Sequence, residues 1–374
     1  MKKRILIISN NDWFFLSHRL DIGLEAISKG YEVHIATNFT DKEKTLLGHG
    51  FKTHSFVMHR TKISPLGLIK NFFDIYSIIK KVKPNLIHSI TIKPVIIGGI
   101  AARIFKNTPF VASISGLGYV FVSKKFFIRI IKILIIILYR IIFANKSVKV
   151  IFQNKNDLLL LQKFCKLKNE YIALIHGSGV NLNVFKPVKA NYLSKQILFA
   201  SRLLKSKGII EFVKSAKYLK EFNYKFVIAG RLDEDNPDCV SKNMISEWES
   251  QGLVNFLGDR KDIFNLINQS RVVVLPSYYG EGLPKILIEA AACGIPVITT
   301  DHPGCRDAII PNETGLLVPV RNSKALSEAI LKLLNNDSLC RKLGNAGRKL
   351  AVSKYDIKKV VTAHLAIYNE LINK

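Results

Sequence analysis

Cysteine is scarce in this chain: five among 374 residues, Cys165, Cys239, Cys293, Cys305 and Cys340, with no CxxC pair and no Cys/His ligand spacing. The pattern argues against structural zinc. An odd number of thiols in a long chain fits a reducing cytoplasm in which each is a small apolar filler. Long hydrophobic runs are missing too. Met1-Lys2-Lys3-Arg4 followed by Ile5-Leu6-Ile7-Ile8 imitates the opening of a signal peptide. Ser9-Asn10-Asn11-Asp12 ends that run after four residues, so no secretion signal is expected. There is no internal repeat and no low-complexity tract. Acidic residues are few, 28 against 56 Lys and Arg, leaving a net charge of +28. The imbalance is mostly N-terminal: residues 1–190 hold 30 basic and 9 acidic residues, residues 191–374 hold 26 and 19. Such a field attracts nucleic acid, anionic lipid or acidic ligands and says nothing about fold. No RNA- or DNA-binding motif accompanies it and no aromatic platform carries it, which disfavours nucleic acid as the partner.

What is present is an α/β alternation. The length suggests two or more domains, each with room for a buried core. Residues 5–9 form an all-apolar strand of the kind buried in a parallel sheet. The loop at 10–19 feeds a helix ending near Lys29-Gly30. Further strands are expected at 32–36, 53–57, 86–88, 110–113, 148–153 and 173–176, with helices at 41–47, 64–81 and 95–105. This is a doubly wound, Rossmann-like series. Glycines 177 and 179 and Pro187 around two short polar runs read as a domain boundary. A second α/β series follows: strands at 196–200, 225–230, 254–257, 272–275, 297–300 and 315–318, helices at 209–219 and 262–268. Three more helices, at 323–334, 338–353 and 357–372, close the chain.

The most informative stretch runs from Ser277 to Gly294, between the strands Val272-Val273-Val274-Leu275 and Val297-Ile298-Thr299-Thr300. It is a βαβ unit. Pro284 fits the first helical position and Gly294 the residue just past the end, which makes the helix about ten residues long. Glu281 lies ahead of this helix and Glu289 more than a turn inside it. A helix N-terminus preceded by glycines favours a phosphate. A diphosphate bound there would lie between the two acids, each reaching hydroxyls on its own side, and a sugar nucleotide has that shape. Taken alone, the motif fits equally a solvent-facing Glu281 and a Glu289 that complements the helix dipole.

Residues 123–149 are the least ordinary segment. Its longest uncharged run, Ile133 to Tyr139, is far short of the roughly 20 residues that span a bilayer. On a helix, Lys125, Arg129, Lys132 and Arg140 fall on one face, with Ile, Leu and Phe over the rest. A core helix with one wet face and a helix touching a membrane fit this pattern equally. Both hold if the helix borders a membrane-facing edge.

Glu281 and Glu289 stand within Glu-Gly-Leu-Pro-Lys…Glu-Ala…Gly-Ile-Pro-Val-Ile, with seven residues between them. This resembles the signature of retaining family 4 glycosyltransferases, and the resemblance covers nearly the whole chain. It implies the GT-B fold, two Rossmann-like doubly wound domains facing across a cleft: 1–185 for the acceptor and 186–356 for the nucleotide sugar, with helix 357–372 packing back on the first. Ser201-Arg202-Leu203-Leu204-Lys205-Ser206-Lys207-Gly208 matches the family's Arg-Leu…Lys-Gly element, in which the Arg and Lys hold the donor diphosphate. The resemblance therefore implies Glu281, Arg202 and Lys207 as the catalytic set. The donor set would be Gly282, Leu283, Lys285 and Glu289, with Gly230 and Arg231 near the nucleotide and Arg260 in the base-binding loop 256–260. Charge builds on the departing diphosphate, and Arg202 and Lys207 would stabilise it in place of a metal. Asp233-Glu234-Asp235 copies a metal-binding DxD of another glycosyltransferase fold, but its polar surroundings read as a solvated loop. No metal and no cofactor are implied.

Many relatives carry a histidine in the loop after the strand at 110–113, where this chain has Ser115-Gly116-Leu117-Gly118. That loop, with His18-Arg19, is similar to the subgroup that extends undecaprenyl-diphosphate-linked sugars in capsule, O-antigen and N-glycan assembly. It implies His18, Arg19, Ser115, Gly116 and Gly118 as acceptor contacts, although a satisfied structural histidine fits His18 nearly as well. Net positive charge beside the amphipathic segment suits a cytoplasmic protein lying peripherally on the anionic inner leaflet, with Lys125, Arg129, Lys132 and Arg140 at the membrane. Rival readings are a GT-B transferase acting on a lipopolysaccharide core or a soluble acceptor, a nucleic-acid-binding protein, and a non-catalytic membrane scaffold.

Overall fold

The alternation closes into two parallel sheets in the computed structural model, which describes residues 2–58, 65–105, 108–122, 125–188 and 194–373. Two compact units share the chain: Met1–Ser178 with Ile357–Lys374, and Gly179–Asp356.

The first unit runs β1 (Arg4–Asn11), α1 (Asp12–His18), α2 (Leu20–Ser28), β2 (Glu32–Asn38), α3 (Glu43–Gly48), β3 (Lys52–Ser55), α4 (Pro65–Val82), β4 (Leu86–Ile90) and α5 (Ile92–Ile104). It continues through β5 (Phe110–Ile114), α6 (Gly118–Val122), α7 (Phe126–Phe143), β6 (Val148–Phe152), α8 (Lys155–Cys165) and β7 (Ile172–Leu174). The strands are all parallel, in the order β3-β2-β1-β4-β5-β6-β7. Ile5 to Ile8 are fully buried because helices cover both faces of the sheet. Apolar side chains of α4, α5, α7 and α8 share one core, and those of α1 and α2 share the other.

The second unit runs β8 (Gln196–Ala200), α9 (Ile209–Tyr218), β9 (Lys225–Ala229), α10 (Lys242–Ser250), β10 (Asn255–Phe256), α11 (Ile263–Asn268) and β11 (Val272–Leu275). Then come α12 (Lys285–Ala292), β12 (Val297–Thr300), β13 (Gly315–Val318), α13 (Ser323–Leu334) and α14 (Asp337–Leu350). The order is β10-β9-β8-β11-β12-β13, again parallel. The chain then returns to the first unit as α15 (Ile357–Ile372), whose Val360, Leu365 and Tyr368 join the core of Phe15 and Ile22.

Several expectations shift. The first unit ends at 178, not 185, because Val180 N–H donates to the Tyr355 carbonyl at 2.7 Å and Phe185 packs edge-on against Phe264. Much of the expected loop 10–19 is the helix α1. Its first residue, the buried Asp12, accepts the N–H groups of Trp13 and Thr40, each at 2.7 Å. The helices α8 and α10 were not anticipated. Asn154 caps α8 by accepting the Asp157 N–H at 2.8 Å, and that Asn-x-x-Asp spacing was the available signal. Ser64, expected to open α4, and Ser123 and Lys124 lie outside the described residues.

Helix α7 adds to one expectation. Its exposed face is centred on Phe126, Ile130, Ile133 and Ile137, while Arg129 and Arg140 occupy one edge of that face. Lys132 is half-buried, its Nζ over the rings of Phe121 and Phe164 at 5.4 and 5.3 Å. The wet face therefore carries Lys125, Arg129 and Arg140 along one edge and an apolar row across its middle. Ile135, Tyr139, Ile142 and Phe143 fill the core side, and this packing sets the helix rotation.

Helix α15 is fastened through buried histidines. His88 of β4 hydrogen-bonds the Tyr368 hydroxyl at 2.6 Å and the Ser113 hydroxyl at 2.7 Å, and His364 stands beside it. Burial, with help from His364 and Arg19, pushes His88 well below the usual imidazole range; burial, then Arg19, pushes His364 to about 3. Between these folded values and the unfolded value of about 6.5 the unfolded chain binds more protons, so stability rises with pH across that window. The melting temperature should fall as the pH drops from about 6.5 toward 4, and His364→Leu should flatten part of that slope. Melts at stepped pH test this, and an equal slope in the variant would sink the assignment.

Candidate active site

The second sheet reverses its winding between β8 and β11, the place where open α/β sheets bind ligands at the carboxyl ends of their strands. The loops leaving those two strands meet there. Gly208, at φ +82°, ends the first loop, and a Cβ on it would strike the Pro276 carbonyl that opens the second. The Ser206 carbonyl accepts the Tyr278 N–H at 2.9 Å and the Ser277 hydroxyl at 3.2 Å.

This junction buries one ion pair. Lys207 Nζ donates to Glu281 Oε1, which also accepts the Ser277 hydroxyl at 2.9 Å, and both charged residues are 9 % exposed. The Tyr279 ring lies 5.3 Å from the same ammonium. Arg202 donates to Asp233 at 2.6 Å, so Asp233 is not in the solvated loop expected for the Asp-Glu-Asp triplet. Glu234 is exposed and pairs with Lys242 instead. Lys285 reaches Glu289 at 3.4 Å, one turn along α12. Burial raises the Glu289 carboxyl above its ordinary range against the opposing pull of Lys285. Each of these three cations thus has a carboxylate partner. Among the described residues, no three His, Cys, Asp or Glu side chains converge as metal ligands.

The remaining expected residues divide. Pro284 is the residue before α12, extended at ψ 122°, rather than its first helical residue, and Gly294 follows its end at φ +73°. The helix is eight residues, shorter than expected, because the chain is still extended at Pro284. Leu283 places its side chain in the core, leaving its backbone to the loop. Gly230 at φ +155° brings its chain against Ser201, where a Cβ would strike the carbonyl, and Leu203 N–H donates to the Arg231 carbonyl at 3.1 Å. Arg260 is exposed and forks onto Asp262 at 2.8 and 2.6 Å. Sequence reasoning missed Ser277 as the second donor to Glu281, and Gly304. At φ +82° Gly304 lies so close that a Cβ would come within 2.6 and 2.7 Å of the Glu281 and Gly282 carbonyl oxygens. Its position just after β12, at the same sheet edge, was the usable signal. Cys305 beneath this loop is fully buried, which pushes its thiol up to about 12 and leaves it an uncharged filler.

In the first unit, Arg19 and Ser115 do meet. Arg19 breaks the helix between α1 and α2, is 2 % exposed, and donates to the His18 carbonyl at 2.8 Å and the Ser115 hydroxyl at 3.2 Å. Its Nε has no partner, and burial lowers its pKa to about 10, so it stays a cation at neutral pH. His18 stacks on Phe14 with ring centroids 4.4 Å apart. Gly116 and Gly118 turn the loop after β5 at φ +98° and +62°.

Comparison with known proteins agrees with this architecture. Residues 181–350 match the family described as glycosyl transferases group 1, and residues 4–154 match glycosyl transferase 4-like. The chain is 30 % identical over 347 residues, 89 % of each chain, to the Campylobacter jejuni N,N'-diacetylbacillosaminyl-diphospho-undecaprenol alpha-1,3-N-acetylgalactosaminyltransferase. It is 25 % identical to the Escherichia coli UDP-Gal:alpha-D-GlcNAc-diphosphoundecaprenol alpha-1,3-galactosyltransferase, covering 83 % of this chain and 81 % of that one. Among solved structures, Anabaena HepE in complex with UDP superposes with a TM-score of 0.79 at 17 % identity, over 99 % of this chain and 100 % of that one. With two Rossmann-like parallel sheets, both family matches and a full-length relative at this identity, the chain belongs to the family 4 glycosyltransferases of GT-B fold.

Proposed function

We propose that this glycosyltransferase is retaining and metal-independent. It moves a hexose or N-acetylhexosamine from a UDP-linked donor, such as UDP-GalNAc, UDP-Gal or UDP-GlcNAc, in alpha linkage onto a sugar carried by undecaprenyl diphosphate. The observation that carries the reading is the buried Lys207–Glu281 pair at the winding reversal of the second sheet. A cation fixed there, with Arg202 beside the same strand end and the N-terminus of α12 following, suits a leaving nucleoside diphosphate. The C. jejuni and E. coli relatives, named for undecaprenyl-linked substrates, support the acceptor class.

In this reading the second unit takes the donor. Lys207 and Arg202 stabilise charge on the departing diphosphate, Glu281 holds Lys207 in place, and Gly282, Leu283, Lys285, Glu289, Gly230, Arg231 and Arg260 surround the nucleotide sugar. Attack comes from the face the diphosphate leaves, so the protein's share is positioning and charge stabilisation. The first unit takes the acceptor through His18, Arg19, Ser115, Gly116 and Gly118. Arg19 is a buried cation that donates to the Ser115 hydroxyl and so holds the loop carrying Gly116 and Gly118.

The test is UDP release from a panel of UDP-sugars with a synthetic undecaprenyl-diphosphate-linked sugar, with and without EDTA. Turnover should survive EDTA. Arg19→Met should cost about tenfold to a hundredfold in transfer, the worth of a charged hydrogen bond, while UDP binding is unchanged. Turnover abolished by EDTA and restored by a divalent ion would overturn the metal-independent site.

A further inference from the structure

The loop after β11 carries two tyrosines ahead of Glu281, and each is covered by a different cation. Tyr279 meets the Lys207 ammonium. Tyr278 is half-buried, and the Arg321 guanidinium lies over its ring, with Cζ 4.5 Å from the centroid. Arg321 stands in the turn between β13 and α13, directly before Asn322, which caps α13 by accepting the Ala325 N–H at 2.9 Å. Its backbone is left-handed, at φ +58°, where glycine would sit more easily. An arginine kept in such a conformation points to a role for its side chain, and the stack on Tyr278 supplies one. Burial raises the Glu211 carboxyl, in the first turn of α9, against the opposing pull of its own backbone, Lys214 and Arg321, so the guanidinium is also within electrostatic reach of α9. Tyr278 is held a second time through its main chain. Its N–H donates at 2.9 Å to the carbonyl of Ser206, the residue before Lys207.

We propose that Arg321 is a positioning residue for sugar transfer: it clamps the Tyr278 ring and so fixes the 277–281 loop in the place where Glu281 holds Lys207 against the departing diphosphate. The inference rests on the proposed role of Lys207 in stabilising that diphosphate. Arg321 touches no reacting group in this assignment, and its action runs through Tyr278. A guanidinium suits the task, because it stacks flat on an aromatic face while its charge stays in contact with water. Arg321 is exposed, so losing its side chain leaves the core of the second unit intact. The loop, by contrast, loses one of the two holds on Tyr278, and a small displacement there is passed through Glu281 to Lys207.

The experiment compares kcat, donor KM, UDP binding and hydrogen exchange across 277–281 in the purified full chain and its variants. Arg321→Gly removes the stack and relieves the left-handed backbone, so its melting temperature should be unchanged or higher. Its kcat should nevertheless fall about fivefold or more, with donor KM within about twofold of wild type. The Tyr278 and Glu281 amides, which donate to the Ser206 and Tyr279 carbonyls, should exchange faster. Arg321→Lys keeps a cation over the ring and should recover most of the loss. Tyr278→Leu should lower kcat as much as Arg321→Gly does, and the double variant no further, because both break one contact. Wild-type kcat in Arg321→Gly, or losses that add in the double variant, overturn the proposal. So does UDP binding weakened by Arg321→Gly and not by Tyr278→Leu, which would mean that Arg321 touches the donor directly. Lys207→Met, run alongside, separates the two readings. If it keeps its turnover, the proposed role of Lys207 falls and this inference with it; if it loses turnover while Arg321→Gly does not, only the role of Arg321 falls.

Discussion

Lys207→Met should lower kcat for sugar transfer by at least about a hundredfold, the loss seen when one preorganised donor to a developing negative charge is removed. The same variant should be less stable by about 3–5 kcal/mol, because Glu281 is left buried with its cation gone. Ser277 still donates to Glu281, so the lower end of that range is expected. Glu281→Gln leaves the complementary fault, a buried ammonium facing a neutral amide. The two effects separate in the double variant. Lys207→Met/Glu281→Gln removes both charges while keeping the shape, so stability should return to within about 1 kcal/mol of wild type, whereas turnover should stay at the single-variant level. Thermal melts and initial rates on the four proteins of this cycle measure it. If the double variant regains activity with stability, the pair is a structural clasp and the diphosphate is stabilised elsewhere.

The second large effect is expected at a residue with no chemistry of its own. Gly304→Ala forces a Cβ to within 2.6 and 2.7 Å of the carbonyl oxygens of Glu281 and Gly282, at φ +82°, so either the loop after β12 or the Glu281 loop must shift. Backbone in an unfavourable region costs about 1–3 kcal/mol. Displacing Glu281 by even ~1 Å costs up to about a hundredfold in rate, because Lys207 follows it. Gly252→Ala is the control. Gly252 also has positive φ, at +66°, but a Cβ there meets nothing within 4 Å, so a loss of about 1–2 kcal/mol and unchanged turnover are expected. Equal activity losses in the two variants would assign the effect to general destabilisation rather than to the position of Glu281.

The sheets were largely legible in the sequence. Strands such as 196–200 and helices such as 209–219 announce themselves through runs of apolar residues and glycine punctuation, which are local properties. The βαβ unit at 277–294 was legible for the same reason, to within one residue at Pro284. Helix α8 was readable from its Asn154 cap and went unread. Glu281, Lys207 and Arg202 were singled out by a resemblance in their motifs, and the resemblance was to the family that the comparisons show.

What the sequence by itself determined is the architecture: two parallel α/β units, their approximate limits, and the strand-end loops from which a site could be built. The tertiary structure decided which groups meet. Lys207 and Glu281 are 74 residues apart, and Arg19 and Ser115 are 96 apart. No local rule pairs residues at such separations; the strand order does, by bringing the ends of β8 and β11, or the α1–α2 break and the loop after β5, to one place. The rotation of α7 was decided in the same way. Its sequence carries a basic stripe and apolar residues all around the rest, so periodicity offers more than one buried face. Only the fit of Tyr139, Ile142 and Phe143 against the core fixed which face is buried, and so left the apolar row in water.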